Sequence, residues 1–112
     1  LRLFIGGSSR SQHFYDQTWS VGGAVDIRPK DRKNSGQFLA LGLALSAHPE
    51  IKRVCYYTPS ERFPSGGFHC DCKGDEKRLF INEGALINWK QVDEVSFISR
   101  IKGHSVDIKA RK

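Results

Sequence analysis

The 112-residue chain has no methionine, only four prolines, and three cysteines, Cys55, Cys70 and Cys72. Three is a small, odd count that gives no secreted disulfide framework, so a reducing, intracellular compartment is expected. No apolar run approaches the roughly 18 residues that cross a bilayer, so no membrane association is expected. No basic-then-apolar leader stands at the start. With Leu1 first and methionine missing, the sequence reads as one domain, 1–112, cut from a longer protein or processed. Repeats and low-complexity tracts are also lacking, which leaves a single globular unit.

What is present is positive charge and aromatic bulk. Eighteen Lys and Arg against twelve Asp and Glu give a net charge of +6 and a pI near 9.5. That balance favours acidic partners such as nucleic acid, the alternative being a solvating surface. Seven Phe, three Tyr and two Trp supply one core.

Periodicity sets out the elements. Leu1–Ile5 reads as a strand closed by Gly6-Gly7, Gln12–Tyr15 as a second, and Trp19–Ile27 as a third with Gly22-Gly23 as a bulge. Pro29–Lys33 is a charged connector. Ser35 is a fair N-cap for a helix through Gln37–Ala47, whose closely spaced Leu residues suggest burial on more than one face. His48-Pro49 ends it. Lys52–Thr58 is rich in β-formers and Pro59 stops it. Residues 60–77 read as irregular. Glu83–Val92 fits a second helix, Val95–Ile101 a fifth strand, and 102–112 a basic tail. The order β, β, β, α, β, irregular, α, β predicts an α/β domain: a mixed five-stranded sheet with helices packed on its faces.

Four segments in that order resemble the ribonuclease H family. Phe4-Ile5-Gly6-Gly7-Ser8 stands where the family's first strand ends in Asp-Gly-Ser. Asn34-Ser35-Gly36-Gln37 and the Phe38–Leu45 run stand where its first helix begins. Tyr57-Thr58-Pro59-Ser60 replaces a Thr-Asp-Ser end, and Ile101-Lys102-Gly103-His104 matches a strand leading into a Lys-Gly-His loop. The resemblance implies a ribonuclease H-like fold. In that family four carboxylates hold two divalent ions that cleave the RNA of an RNA–DNA hybrid. Here those positions are Gly6, Gln37 and Pro59, with Asp107 the one candidate for the fourth. One carboxylate cannot organise two ions about 4 Å apart.

The expectation is therefore a non-catalytic, cofactor-free module with a vestigial site at Gly6, Gln37, Pro59, His104 and Asp107. His104, deprived of metals, becomes an exposed loop side chain. What the resemblance leaves is binding of RNA, RNA–DNA hybrid or a duplex backbone through Arg28, Lys30, Arg32, Lys33, Asn34 and Lys102. Two alternatives stay open. One is a docking or self-association scaffold using the insert flanked by Phe63, Phe68 and Phe80. The other is an active nuclease with displaced ligands, for which Asp16, Asp26 and Asp31 are available acids, although turns and surface account for them too.

His69-Cys70-Asp71-Cys72 contains zinc-type donors. Structural zinc sites pair Cys-x₂₋₄-Cys with a second donor pair, and none stands nearby in sequence. Only His13, His48, Cys55 or His104 could complete such a set, so the segment reads as reduced thiols on a loop. Cys55, Tyr56, Tyr57 and Ser60 form no nucleophile–base set. Trp19 and Trp89 read as core or interface residues ahead of base-stacking platforms.

Overall fold

The computed structural model describes residues 3–6 as backbone, and 24–84 and 88–106 with their side chains. Eight elements follow in chain order: β1 (Leu3–Gly6), β2 (Ala24–Pro29), α1 (Ser35–Ala47), β3 (Arg53–Tyr57), β4 (Gly67–Asp71), β5 (Arg78–Asn82), β6 (Trp89–Val92) and α2 (Glu94–Lys102). The strands form one mixed sheet in the order β1-β2-β4-β3-β5-β6, six strands where five were expected. Only β3 and β5 pair in parallel; all other neighbours are antiparallel. Since β2 and β3 both run antiparallel to β4, they are parallel to each other with β4 between them, and α1 makes the crossover.

The α/β class with a mixed sheet is what the sequence predicts; the placement of the helices is not. α1 contributes Phe38, Leu41 and Leu45, and α2 contributes Phe97 and Ile101, to one core with Val54, Tyr56, Phe68, Cys70, Leu79 and Ile81. Both helices therefore cover the same face of the sheet. Gly42 marks their closest approach, since a Cβ there would stand 2.7 Å from Ile101 Cδ1 and 3.3 Å from Phe68 Cζ. α1 buries one side only, Leu43 being exposed. Its true N-cap is Asn34, whose side chain accepts from the Gln37 amide at 3.0 Å. Its last carbonyls, Leu45 O and His48 O, accept from Lys77 Nζ at 3.0 and 2.7 Å. No helix among the described residues is long and apolar enough to cross a membrane.

The second half of the chain differs most from its sequence reading. Val95–Ile101, expected as a strand, lies in α2. Its Asp93 cap accepts from the Ser96 amide at 2.7 Å, Glu94 sits in the first turn, and Arg100 and Lys102 sit in the last. Caps and end charges of that sign stabilise a helix, and Phe97 and Ile101, four apart, give it an apolar side. Glu83–Val92, expected as a helix, ends instead in β6. Gly84, at φ 107°, takes a conformation no helix contains. Residues 60–77, read as irregular, contain β4, every residue of which is buried. The strand that would have led into Lys102-Gly103-His104 is thus a helix, and the element order behind the ribonuclease H resemblance is not reproduced beyond β3. The strands expected at Gln12–Tyr15 and Trp19–Gly23 lie outside the described residues.

Candidate functional site

Strand alternation sends Val54, Tyr56, Phe68 and Cys70 toward the helices, so their neighbours face the other way. Register then lines up Asp26, His69, Cys55 and Phe80 across four adjacent strands on the helix-free face. One residue-pair along, Arg53 stands opposite Asp71.

These side chains form a continuous polar line. His69 Nδ1 lies 3.1 Å from Asp26 Oδ1, and His69 Nε2 lies 2.9 Å from Asp71 Oδ2. Arg53 donates to Asp71 through Nε at 2.9 Å and Nη2 at 2.5 Å, a two-pronged pair. The Lys73 amide adds a third donor to Asp71 at 3.1 Å. Exposure is graded along the line: Asp71 is 0% exposed, His69 9%, and Asp26 39%. The imidazole therefore has a dry end toward Asp71 and a wet end toward Asp26.

Protonation follows from these contacts. Burial works to lower the His69 pKa, but its bonds to Asp26 and Asp71 outweigh burial and raise it. Burial works to raise Asp71, and the bonds from His69, Arg53 and the Lys73 amide overcome it, holding that carboxyl well below its usual range. When it carries both protons, the His69 ring can donate to both carboxylates. The neighbouring thiols are inert: burial pushes Cys70 up to about 12, and Cys55 higher still.

An aromatic wall rises beside the line. The Trp89 ring stands 4.9 Å from the His69 ring at 62°, 5.4 Å from Phe80 and 6.3 Å from Tyr57. The Arg53 guanidinium lies 5.3 Å over the indole. Tyr57 stacks face to face on Phe63 at 4.5 Å.

The 3.1 Å between His69 Nδ1 and Asp26 Oδ1 is a hydrogen-bond distance that also lies near the spacing of two ligands on one ion. Ligands about 2.0–2.1 Å from a tetrahedral zinc stand about 3.3 Å apart, close to the Nδ1–Oδ1 separation. Asp71 on Nε2 is the outer carboxylate that a metal-binding histidine characteristically carries. Among the described residues no three His, Cys, Asp or Glu side chains close around an ion. The His69-Cys70-Cys72 grouping is split by the strand, since Cys70 lies in the helix-side core.

The positions singled out by sequence are placed in different parts of the fold, and two of them meet. Gly6 pairs with Asp26 in the sheet, while Leu3 pairs with Pro29, so Gly6 lies at the end of β1 away from the connector. Gln37 is in the first turn of α1. Pro59 and His104 meet around Gly66, where a Cβ would approach each to 3.2 Å. Asp107 lies outside the described residues, as do Asp16 and Trp19. His104 is not an exposed loop residue. It is buried, stacked 3.6 Å from Phe38, and bonded through Nδ1 to Tyr56 Oη at 2.6 Å and through Nε2 to Arg32 O at 3.0 Å. Its place directly after α2 aims it back into the core.

Of the basic set, Lys30, Lys33 and Lys102 are exposed, while Arg28 and Arg32 are half-buried. Arg28 Nη1 donates to Pro29 O and Lys30 O. The Asn34 side chain is committed to the helix cap. Asp31 Oδ1 accepts from the Lys33 amide, a turn role. Phe63, Phe68 and Phe80 share no surface: Phe68 is in the helix-side core, Phe80 packs against Trp89 and Phe63 on Tyr57.

Sequence reasoning missed Asp26, His69, Asp71 and Arg53 as a group. The available signal was local: an acid between Val25 and Ile27, and His-x-Asp within a strand, both placing charge on one face. No protein-family model, curated protein or solved structure matches the chain.

Proposed function

We propose that this chain is a metal-dependent hydrolytic domain, with a zinc-type ion held by His69 Nδ1 and Asp26. The observation that carries this is the graded line Asp71–His69–Asp26. A buried carboxylate fixes the inner ring nitrogen, and the outer nitrogen lies against a partly exposed carboxylate. Two carboxylates, Asp26 and Asp71, flank the ring, which suits a cation replacing the imidazole proton. A bound zinc ion supplies a water of lowered pKa and polarises a carbonyl or phosphoryl oxygen. The protein's residues supply orientation: Arg53 holds Asp71, and Asp71 holds His69. Covalent catalysis is disfavoured because Cys55, the thiol opposite His69, is buried and neutral.

Catalytic zinc usually takes three protein ligands. Of the four histidines, His48 caps the end of α1, on the helix-covered side, and His104 uses both nitrogens elsewhere. His13, outside the described residues, is the remaining imidazole and belongs in the test. Calorimetric titration of the chain with Zn²⁺ is expected to show one ion per chain. Asp26→Asn and His69→Ala should each weaken it by at least about tenfold, and Asp71→Asn by about 10- to 100-fold. His13→Ala decides whether that residue is the third donor. A wild-type chain that takes up no zinc overturns the proposal.

A second reading keeps the chain as a ribonuclease H-like module that binds RNA or RNA–DNA hybrid without cleaving it. It is favoured by the His104–Arg32 bond, which brings the end of α2, carrying Lys102, to the connector carrying Lys30, Arg32 and Lys33. Titration against hybrid, double-stranded RNA and DNA at two salt concentrations tests it, since phosphate contacts are salt-sensitive. Absence of binding at low salt removes it.

A further inference from the structure

Trp89 reads in the sequence as a core or interface residue, and besides packing on Phe80 and Tyr57 it touches two members of the polar line. The indole meets His69 edge-on at 4.9 Å, and the Arg53 guanidinium lies 5.3 Å over its ring. Arg53 grips Asp71, and Asp71 holds His69 Nε2. The four side chains thus close a ring of contacts: indole, imidazole, carboxylate, guanidinium. They come from three strands, β6, β4 and β3. Trp89 is paired with Asn82 and backed by Phe80, so its own position is set by the sheet.

We infer that Trp89 is a positioning residue for the His69 site, fixing the imidazole plane so that Nδ1 faces Asp26. This rests on the metal reading above. The physical reason is rotational. An imidazole on a strand turns about its terminal torsion in a broad, roughly two-fold well. Asp71 restrains one nitrogen, and an indole set edge-on to the ring limits its rotation. The indole acts a second time through Arg53, because a guanidinium held over an aromatic face keeps its fork aimed at Asp71.

Trp89→Ala, Trp89→Leu and Trp89→Phe separate positioning from space filling. The measurements are Zn²⁺ affinity, thermal unfolding of the metal-free chain, and long-range ¹H–¹⁵N correlations of the His69 ring without metal. Phe, which keeps a flat ring, is expected to hold zinc within about threefold of wild type. Ala and Leu should both weaken zinc by about tenfold, the lower range for outer partners of a ligand. Leu should recover most of the unfolding temperature that Ala loses. Wild-type affinity in the Leu variant overturns the inference and leaves Trp89 a packing residue. If wild type binds no zinc, the metal reading fails by itself. The ring correlations then decide the positioning role: His69 signals altered in Leu but not in Phe support it, and signals unchanged in both overturn it. Should the Ala variant not fold, the Leu and Phe pair carries the same comparison.

Discussion

His69 and His104 are both buried, and each bonds through both ring nitrogens. They titrate in opposite directions. His69 stands between two carboxylates, which raise its pKa against the effect of burial. His104 stands between a phenol and a backbone carbonyl, so burial dominates and lowers it, with the Arg32 carbonyl opposing. Counting satisfied hydrogen bonds would call these sites equivalent. What distinguishes them is the charge of the partners: carboxylates make a place for a cation, and neutral dipoles make a place for a neutral ring. His69 is therefore a candidate for chemistry. His104 is a tie between α2, β3 and the β2–α1 connector.

The largest expected effect comes from removing the charge that defines the His69 environment. Asp71→Ala leaves Arg53 and His69 without their buried counter-charge, and breaking such a pair costs about 3–5 kcal/mol. Asp26→Ala, at the exposed end of the same line, is expected to cost at most about 1 kcal/mol. Urea unfolding of the two variants measures the gap. Similar losses for both would mean that the line has no dry end, and the contrast between the two ends would fail.

The His104 side is read by pH. Its folded pKa lies below the ordinary histidine value of about 6.5. The unfolded chain therefore takes up the proton first, and the stability that His104 contributes is full above about pH 6.5. It is lost as pH falls from there toward the folded value. His104→Gln retains a donor and an acceptor but cannot titrate. At pH 8 the variant should be about 2 kcal/mol less stable than wild type, through the lost Phe38 stack and imperfect hydrogen bonds. By pH 5 that gap should narrow. A gap independent of pH would mean that His104 is not held neutral.

How far the sequence foretold these regions depends on whether the evidence was local. α1 was legible because its stop, His48-Pro49, and its apolar run lie within one short stretch, though the cap moved from Ser35 to Asn34. β3 was legible from Val-Cys-Tyr-Tyr and Pro59. α2 was missed because Val95-Ser96-Phe97-Ile98-Ser99 has the residue types of a strand, and what sets it as a helix is the cap at Asp93 just before it. β4 was missed because its Phe-His-Cys-Asp alternation is only four residues long and follows Pro64 and the Gly66-Gly67 pair, which read as loop. The site itself was out of reach because its members are far apart in the chain. Asp26 and His69 are 43 positions apart, and only the β2–β4 register makes them neighbours. Of the candidates taken from the ribonuclease H resemblance, the fold brings Pro59 and His104 together around Gly66 and leaves Gly6 at the far end of β1.

The smallest effect tests whether the two histidines are independent. Asn34 caps α1 at the end of the connector whose Arg32 carbonyl accepts from His104. Asn34→Ala removes the bond to the Gln37 amide and should cost about 1 kcal/mol, the usual value of a lost cap. The connector then loses one of its anchors, so the His104 ring signals should shift in an NMR spectrum. His69 lies on the opposite face of the sheet and shares none of these partners. Its ring signals, and the zinc affinity of the chain, should stay at wild-type values. Sites without shared partners add independently, so a change at His69 would show that the two faces are coupled through β2, the strand that carries Asp26 and ends in the connector.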